Sequence, residues 1–408
     1  MNISGKIRAL LPKRVINKMQ QKKDQRIKAQ SCVQYPILDV SILEKYPQVY
    51  HIKDESWEKM PVAANYRTFQ AYEVPLLHET QNIRLIQNAC VCDGADAVIT
   101  ADGVIWDKAY YSNFTKVIPT DRNMYDYDDK HIWLKKYVNT VEVNGRALSL
   151  LGACAGIWAH FIIQYLPKIY YGEKAGLLNE DITILVSPVV DTNIKEIFDQ
   201  YAAKYSAIKF VETLKDTYYK CEELYYMPSA SHLDDHSLYL HTCDVVIPQI
   251  VKDELISHMV QPLIEQVKNN KPKHKKIYLI RRETFRKIAN WKEIEQFFVE
   301  QGFCLVEGSN MSLLEKADLF YHTEFIAGPY SSAWTNTMFC KKAKGIMIEN
   351  TPRTIDPYQV TFANIGHVKV LQVTGNDIGT PDAHMDSYIP IDKLKQAYEY
   401  LLKIDSNE

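Results

Sequence analysis

Three arginines stand together in the second half of the chain. Arg281 and Arg282 directly follow the apolar run Ile277–Ile280, and Arg286 comes shortly after. Guanidinium groups at a strand's carboxyl end, ahead of a helix, are placed to hold phosphate by bidentate hydrogen bonds. A surface cluster pairing with Glu283 and Glu293 is the plainer reading. The stretch Ala327-Gly328-Pro329-Tyr330-Ser331-Ser332-Ala333-Trp334-Thr335-Asn336 reads as a strand end, a small-residue turn and a helix start. Backbone N–H groups there form an anion site to which Ser331 and Ser332 add hydroxyl donors, although a tight turn with a serine cap is commonplace. His160 follows the small-residue run 152–156 and falls in the first turn of an apolar helix. The positive end of the helix dipole disfavours imidazolium there, and a neutral imidazole is what a general base requires. A histidine satisfied within the core is the competing reading. Asp126-Tyr127-Asp128 has a metal-binding carboxylate spacing but lies in a polar stretch that reads as a solvated loop. Asp234-Asp235-His236 follows a strand and reads equally as a turn or as facing a cleft, which makes Asp235 the rival base.

These groups need a scaffold, and the clearest part of it begins at residue 277. Ile277–Ile280 reads as a buried strand, and Trp291, Ile294, Phe297 and Phe298 mark one helix face ending at Gly302. Phe303–Val306 is the next strand, and Ser312-x-x-Glu315 is a capping box opening a helix with Leu313, Ala317 and Phe320 inward. Strands at Phe325–Ala327 and Gly345–Ile348 flank a short helix over 332–340. Four strands separated by three helices predict a Rossmann-like parallel sheet.

Upstream, residues 83–151 read as short strands, with turns expected at Asp93-Gly94, Asp102-Gly103 and Asn144-Gly145. The last is expected to join a strand over 138–143 to one over 146–151. From 156 a helical run, a strand at Ile182–Val186, a helix carrying Ile194, Ile197, Phe198 and Tyr201, and strands near 208–211 and 223–227 indicate an α/β layer. The polar, basic stretch 269–276 is taken as a linker. The expected organisation is an N-terminal segment (1–30), a first domain (31–268), the linker and a second domain (277–408), whose last helix is allowed to pack back on the first. Two such domains place a ligand in the cleft between them.

The chain has 408 residues, 46% hydrophobic and 24% charged, with a net charge of -2, which excludes a disordered tail, a collagen or a coiled coil. Nothing in it indicates nucleic acid as a partner. Eight scattered cysteines without metal-ligand spacing read as buried hydrophobes in a reducing compartment. Residues 1–30 hold nine basic residues against the single acid Asp24, with Ile3, Ile7, Leu10 and Leu11 on one helix face. Such a basic amphipathic segment suits an anionic membrane surface, or else docks on an acidic body. No signal peptide or membrane span is expected, so the chain is read as cytoplasmic, with peripheral attachment at the inner membrane face allowed.

Taken together, these features resemble glycosyltransferase family 61. The resemblance runs from about Leu85 to Gly366. It includes Asp102-Gly103, the His160-Phe161-x-x-x-Tyr165-Leu166-Pro167 helix, Tyr278-Leu279-Ile280-Arg281 with Arg286 and Asn290, Gly302-Phe303, and Ser312-x-x-Glu315. Gly328-Pro329, then Thr335-Asn336 and Phe339, and Glu349 complete it. It implies an α/β, GT-B-like architecture of two Rossmann-like domains facing a cleft, with a β-rich lead-in to the first. It further implies inverting, metal-independent transfer of a sugar from a nucleotide donor, a UDP-sugar foremost, to a glycan or lipid-linked glycan acceptor in bacterial surface polysaccharide synthesis, with no cofactor. On this reading His160, or Asp235, is the base. Arg281, Arg282, Arg286, Asn290, Gly328, Ser331, Ser332, Ala333 and Asn336 hold the donor, and Glu349 meets the ribose. One departure stands out: members often read Gly-Pro-His-Gly-Ala-Gly where this chain has Tyr330, Ser331, Ser332 and Ala333 after Gly328-Pro329. The alternatives are a non-catalytic sugar-nucleotide or glycan-binding relative, and a metal-dependent GT-A transferase using Asp126 and Asp128.

Overall fold

In the second half of the chain the strands are short, apolar and joined by helices, which suits a parallel sheet covered on both faces. The computed structural model describes residues 29–54, 56–62, 64–65, 72–78, 81–106, 122–189, 191–229, 231–233, 245–282, 287–349, 357–378 and 386–404. The basic segment 1–28, Asp235 and Arg286 lie outside the described residues.

In chain order the elements that matter here are β1 (Gln48–Lys53), β2 (Ala64–Asn65), β3 (Gln81–Cys92), β4 (Ala97–Ile99), β5 (Val104–Trp106), β6 (Asn139–Ser149), helix α1 (158–174), β7 (Ile182–Val186), α2 (Thr192–Lys204), β8 (Ile208–Glu212) and β9 (Thr217–Tyr226). They are followed by α3 (249–267), β10 (Lys276–Leu279), α4 (Trp291–Glu300), β11 (Cys304–Val306), α5 (Leu313–Tyr321), β12 (Phe325–Pro329), β13 (Ala343–Glu349), α6 (Pro357–Ile365), β14 (Val368–Thr374) and α7 (Ile391–Lys403).

The first sheet has eight strands in the order β8-β7-β6-β9-β3-β4-β5, with β1 also on β3. Only β8, β7, β6 and β9 run parallel; β3 is antiparallel to β9 and continues into the β4–β5 hairpin. This sheet is therefore mixed, and Rossmann-like only in its parallel half. The hairpin expected at Asn144-Gly145 does not form. Residues 139–149 make one strand, and the dipeptide produces a register slip against β9 between Val143 and Arg146. Gly145 does take the positive φ, 70°, that such a pair favours, but it does so inside a bulge, because the residues before and after it both pair with β9 and keep the strand going.

The second sheet has six strands in the order β11-β10-β12-β13-β14-β2, all parallel. Its outermost strand is the dipeptide Ala64–Asn65 from the other end of the chain. Helix α5 opens with the expected capping box of Ser312 and Glu315, and Asp191 caps α2 by accepting from Asn193 N at 2.9 Å. Helices α1 and α3 each contain a π turn, at Phe161–Tyr165 and Ile256–Val260, shortly before Pro167 and Pro262. An interior proline removes a backbone donor and crowds the carbonyl four residues back; the wider turn relieves that clash.

One contiguous apolar core joins both sheets through helices: Leu148 and Ile184, then Ile162, Ile163 and Ile169 of α1, Val251 and Leu255 of α3, Leu313 and Ala317 of α5, and Ile277, Ile326 and Met347. The other face of the second sheet packs against α4 and α7, with Phe297, Phe298, Leu394, Ala397, Tyr398 and Leu401 in one cluster. The last helix thus lies on the second sheet. Polar ties bind α2 to the start of α5. Asn193 Nδ2 donates to Met311 O at 3.0 Å, Glu196 Oε2 accepts from Leu313 N at 3.1 Å, and buried Lys316 donates to Asn193 Oδ1. Burial lowers the pKa of Lys316, with Asp191 and Glu196 opposing the shift. No helix among the described residues is long and apolar enough to cross a membrane.

Candidate functional site

The order β11-β10-β12 means the chain leaves β10 in one direction through α4 and returns past it through α5. Between β10 and β12 the following connections diverge, and a crevice opens at their carboxyl ends. Arg281 sits there, its Nη1 donating to the carbonyl oxygen of Tyr330 at 3.0 Å. Gly328, with φ of 154°, lets the two strands approach: a Cβ at this position would stand 2.8 Å from the Leu279 carbonyl oxygen. A pocket of about 410 Å³ opens beside these ends, lined among others by Tyr278, Arg281, Arg282, Ile288, Trp291 and Pro329.

Arg282 lines the same pocket but is held. Its guanidinium grips Glu295 in a bidentate pair at 2.6 and 2.9 Å and lies over the Trp291 ring at 4.3 Å. The partner is Glu295, one turn inside α4, and not Glu293; Glu283 lies outside the described residues. Trp291, counted on the buried face of α4, is 38% exposed and serves as that platform. Asn290 also has a structural task. Its amide accepts from Ile389 N at 3.1 Å and donates to Ile389 O at 2.8 Å and to Glu293 Oε2 at 3.1 Å, stapling the start of α4 to the chain ahead of α7.

Downstream of Tyr330, Ser331 is extended and Ser332 opens a 3-10 helix, Ser332–Phe339. Its side chains tighten it from within: Thr335 Oγ1 donates to Ser332 O at 2.8 Å, Asn336 Nδ2 to Ala333 O at 3.0 Å and Thr337 Oγ1 to Trp334 O at 2.6 Å. Trp334 is fully buried and its Nε1 donates to Pro329 O at 3.1 Å, anchoring the turn to the end of β12. Asn336 is buried with its amide turned into the helix. Glu349 ends β13 and is buried, so it is no surface carboxylate.

His160 lies in the first turn of α1, as expected. That turn packs against the Ser332–Phe339 helix, so the histidine's element and the serine turn meet. His160 Nδ1 lies 2.8 Å from Gln164 Oε1, and Gln164 Nε2 donates to Ser231 O at 3.5 Å. The approach to the helix is narrow: a Cβ on Gly152 would fall 2.1 Å from the Tyr165 hydroxyl and 2.3 Å from Asp96 Oδ1. Tyr165 in turn donates to that Asp96 oxygen at 3.1 Å. Sequence reasoning missed Gln164, whose signal was a lone polar residue inside Phe161-Ile162-Ile163-Gln164-Tyr165-Leu166, four places after His160.

Asp126 and Asp128 lie apart, in a small sheet formed by Cys32–Pro36, Met124–Tyr127 and His131–Lys135. Asp128 Oδ1 accepts from Lys130 N at 2.9 Å and His131 N at 2.7 Å, closing the turn between two strands. The Lys130 amide bond, followed by weaker contributions from His131, overrides burial and holds its carboxyl below the usual range. Among the described residues no group of three or more His, Cys, Asp or Glu is arranged to hold a metal ion. The seven described cysteines are free thiols, and burial pushes that of Cys221 up to about 12.

Residues 158–347 match the family described as Glycosyltransferase 61, which supports the resemblance over a narrower span than 85–366. The matched segment contains His160, Arg281, Gly328 and Ser332 and stops two residues short of Glu349. No curated protein matches the chain.

Proposed function

We propose that the protein is an inverting glycosyltransferase that takes a sugar from a nucleotide-sugar donor, a UDP-sugar foremost, and passes it to a glycan or lipid-linked glycan hydroxyl. The observation that carries this reading is the convergence of Arg281, on the Tyr330 carbonyl at 3.0 Å, with a serine turn whose helix packs against the first turn of the helix bearing His160. The family match adds the reaction class. The two α/β units then act in the manner of a GT-B enzyme, with donor on the second and acceptor toward the first.

In a single displacement the acceptor oxygen forms a bond to the anomeric carbon as the bond from that carbon to the diphosphate oxygen breaks. The acceptor proton passes to His160, and the electron pair leaves with the nucleoside diphosphate. Arg281, the main-chain N–H groups near Ser331–Ala333 and, from outside the described residues, Arg286 stabilise the charge growing on the diphosphate, the part a metal ion takes elsewhere. Arg282 contributes less net charge because Glu295 neutralises it, and its role is to shape the pocket wall with Trp291. Glu349 meets the ribose hydroxyls. Asp235 remains the alternative base. The basic segment 1–30 holds the enzyme at the inner face of the membrane, where the lipid-linked acceptor of a surface polysaccharide is found.

A panel of nucleotide sugars screened by thermal shift identifies the donor, since a ligand bound to the folded state raises its stability according to affinity. Transfer is then assayed with that donor and a glycan acceptor pool in excess chelator. Undiminished transfer supports the metal-independent reading. Binding with neither transfer nor hydrolysis makes the chain a binding relative, the reading favoured by Tyr330, Ser331, Ser332 and Ala333 where members often carry glycines.

A further inference from the structure

We infer that Gln164 is a positioning residue that fixes His160 in the Nδ1–H tautomer, so that the lone pair of the neutral ring sits on Nε2; its catalytic meaning rests on the base assignment above. The amide orientation is set from behind. Gln164 Nε2 faces the Ser231 carbonyl at 3.5 Å, beside the Ser229 hydroxyl that donates to the same oxygen at 2.6 Å, and a carbonyl only accepts, which favours the nitrogen on that side. That turns Oε1, which also only accepts, toward His160 Nδ1 at 2.8 Å. The proton between them therefore belongs to Nδ1, and in a neutral imidazole the second nitrogen is the acceptor. Gln164 is 8% exposed and sits in the π turn that precedes Pro167, among Ile162, Ile163 and Tyr165, all buried. A buried amide beside an imidazole costs free energy unless both its ends are paired, and here one end holds the ring and the other holds the main chain. The Ser332–Phe339 helix packed against this turn carries no ionisable side chain, and Lys316 of α5 holds its ammonium 5.8 Å from the Trp158 ring centroid.

Gln164→Glu keeps an acceptor for Nδ1–H but loses the donor to Ser231; Gln164→Met keeps the volume and loses both. Full-length protein labelled with nitrogen-15 histidine is observed at about pH 8.5, two units above the ordinary imidazole range, with His160 assigned by its loss in His160→Ala. In the wild type and in Gln164→Glu the pyridine-like resonance should belong to Nε2; in Gln164→Met it should move to Nδ1. Turnover should stay within a few-fold in Gln164→Glu and drop roughly 10–100-fold in Gln164→Met, the usual loss when a group orienting a histidine is removed. A wild-type spectrum showing Nε2–H overturns the inference. So does equal loss of turnover in both variants, which would make Gln164 a structural staple only. If Gln164→Met does not fold, the wild-type and Gln164→Glu spectra decide alone. Absence of transfer from the wild type would remove the base assignment while the tautomer remains read by the spectrum.

Discussion

Arg281 and Tyr330 are forty-nine residues apart in sequence, yet the guanidinium of one holds the carbonyl of the other. The bond crosses the carboxyl ends of the neighbouring strands β10 and β12, where the sheet order reverses. It fixes the arginine side chain before any ligand arrives and sets where the serine turn begins. A cation held this way meets an anionic ligand with little further loss of rotamer freedom.

Arg281→Ala should weaken nucleoside-diphosphate binding by about 1.5–3 kcal/mol, the range for hydrogen bonds involving a charged group. Arg281→Lys should recover little of it, because an ammonium cannot bridge the Tyr330 carbonyl and a phosphate in the same planar fork. Calorimetric titration of both variants with the diphosphate checks this. Wild-type affinity in Arg281→Ala would remove the phosphate site from this crevice.

Gly328→Ala should destabilise the fold by about 1–3 kcal/mol, the cost of forcing an extra methyl into packed structure. The added carbon would press on Leu279 at 2.8 Å and push β12 from β10 where the crevice opens. Donor affinity should fall along with the melting temperature, and the two are read from one thermal-shift series with and without donor. A variant that melts like the wild type would mean the strands absorb the methyl without moving.

His160→Ala should lower turnover by roughly 10²–10⁴-fold, the contribution of a positioned general base. Donor affinity should stay near that of the wild type, because the residues proposed to hold the donor lie on the second sheet. Near-normal turnover in His160→Ala together with its loss in Asp235→Asn would transfer the role of base to the aspartate.

Glu254 gives the fold an acid-sensitive joint. It sits buried on α3, bonded to Lys174 of α1 and paired with His258 at 3.2 Å. Burial alone would raise its carboxyl, but the bonds from His258 and Lys174 outweigh that and hold it below the ordinary glutamate range. A depressed carboxylate contributes stability that is in place above the unfolded value and disappears as pH falls through the folded one. Unfolding followed by circular dichroism should therefore show stability falling as pH drops below the ordinary glutamate value of about 4.3. Lys174→Met should move the acid midpoint upward and cost about 1–2 kcal/mol at neutral pH. An unchanged midpoint would exclude the pair as the sensitive group.

The second sheet was legible because its signals are local and mutually consistent. Ile277–Ile280, the Ser312–Glu315 box and the apolar face of α4 each specify one element, and right-handed crossovers then order them. His160 was placed correctly because a run of small residues followed by an apolar stretch marks a helix start. What escaped depended on partners far along the chain. Asn144-Gly145 promised a hairpin, but pairing with β9 before and after the dipeptide turned it into a bulge in one strand. Arg282 is followed by Glu283 and Glu293, yet its partner Glu295 lies in α4, thirteen residues on. Gln164 was hidden by its own surroundings, since its meaning comes from Ser231, which nothing nearby in sequence announces. Asn290, expected to meet the donor, is explained by Ile389, ninety-nine residues away.

The dipeptide Ala64–Asn65 on the outer edge of the second sheet has a topological effect out of proportion to its length. It pairs with Leu371 and Gln372, so a piece from the N-terminal part of the chain closes a sheet built from the C-terminal part. The two halves are stitched through each other and are not beads on a string. A fragment beginning at the linker would leave the β14 edge bare, with a row of backbone donors and acceptors ready to pair with another copy. Cutting between the halves would thus create a self-associating surface that the intact chain keeps covered with its own backbone.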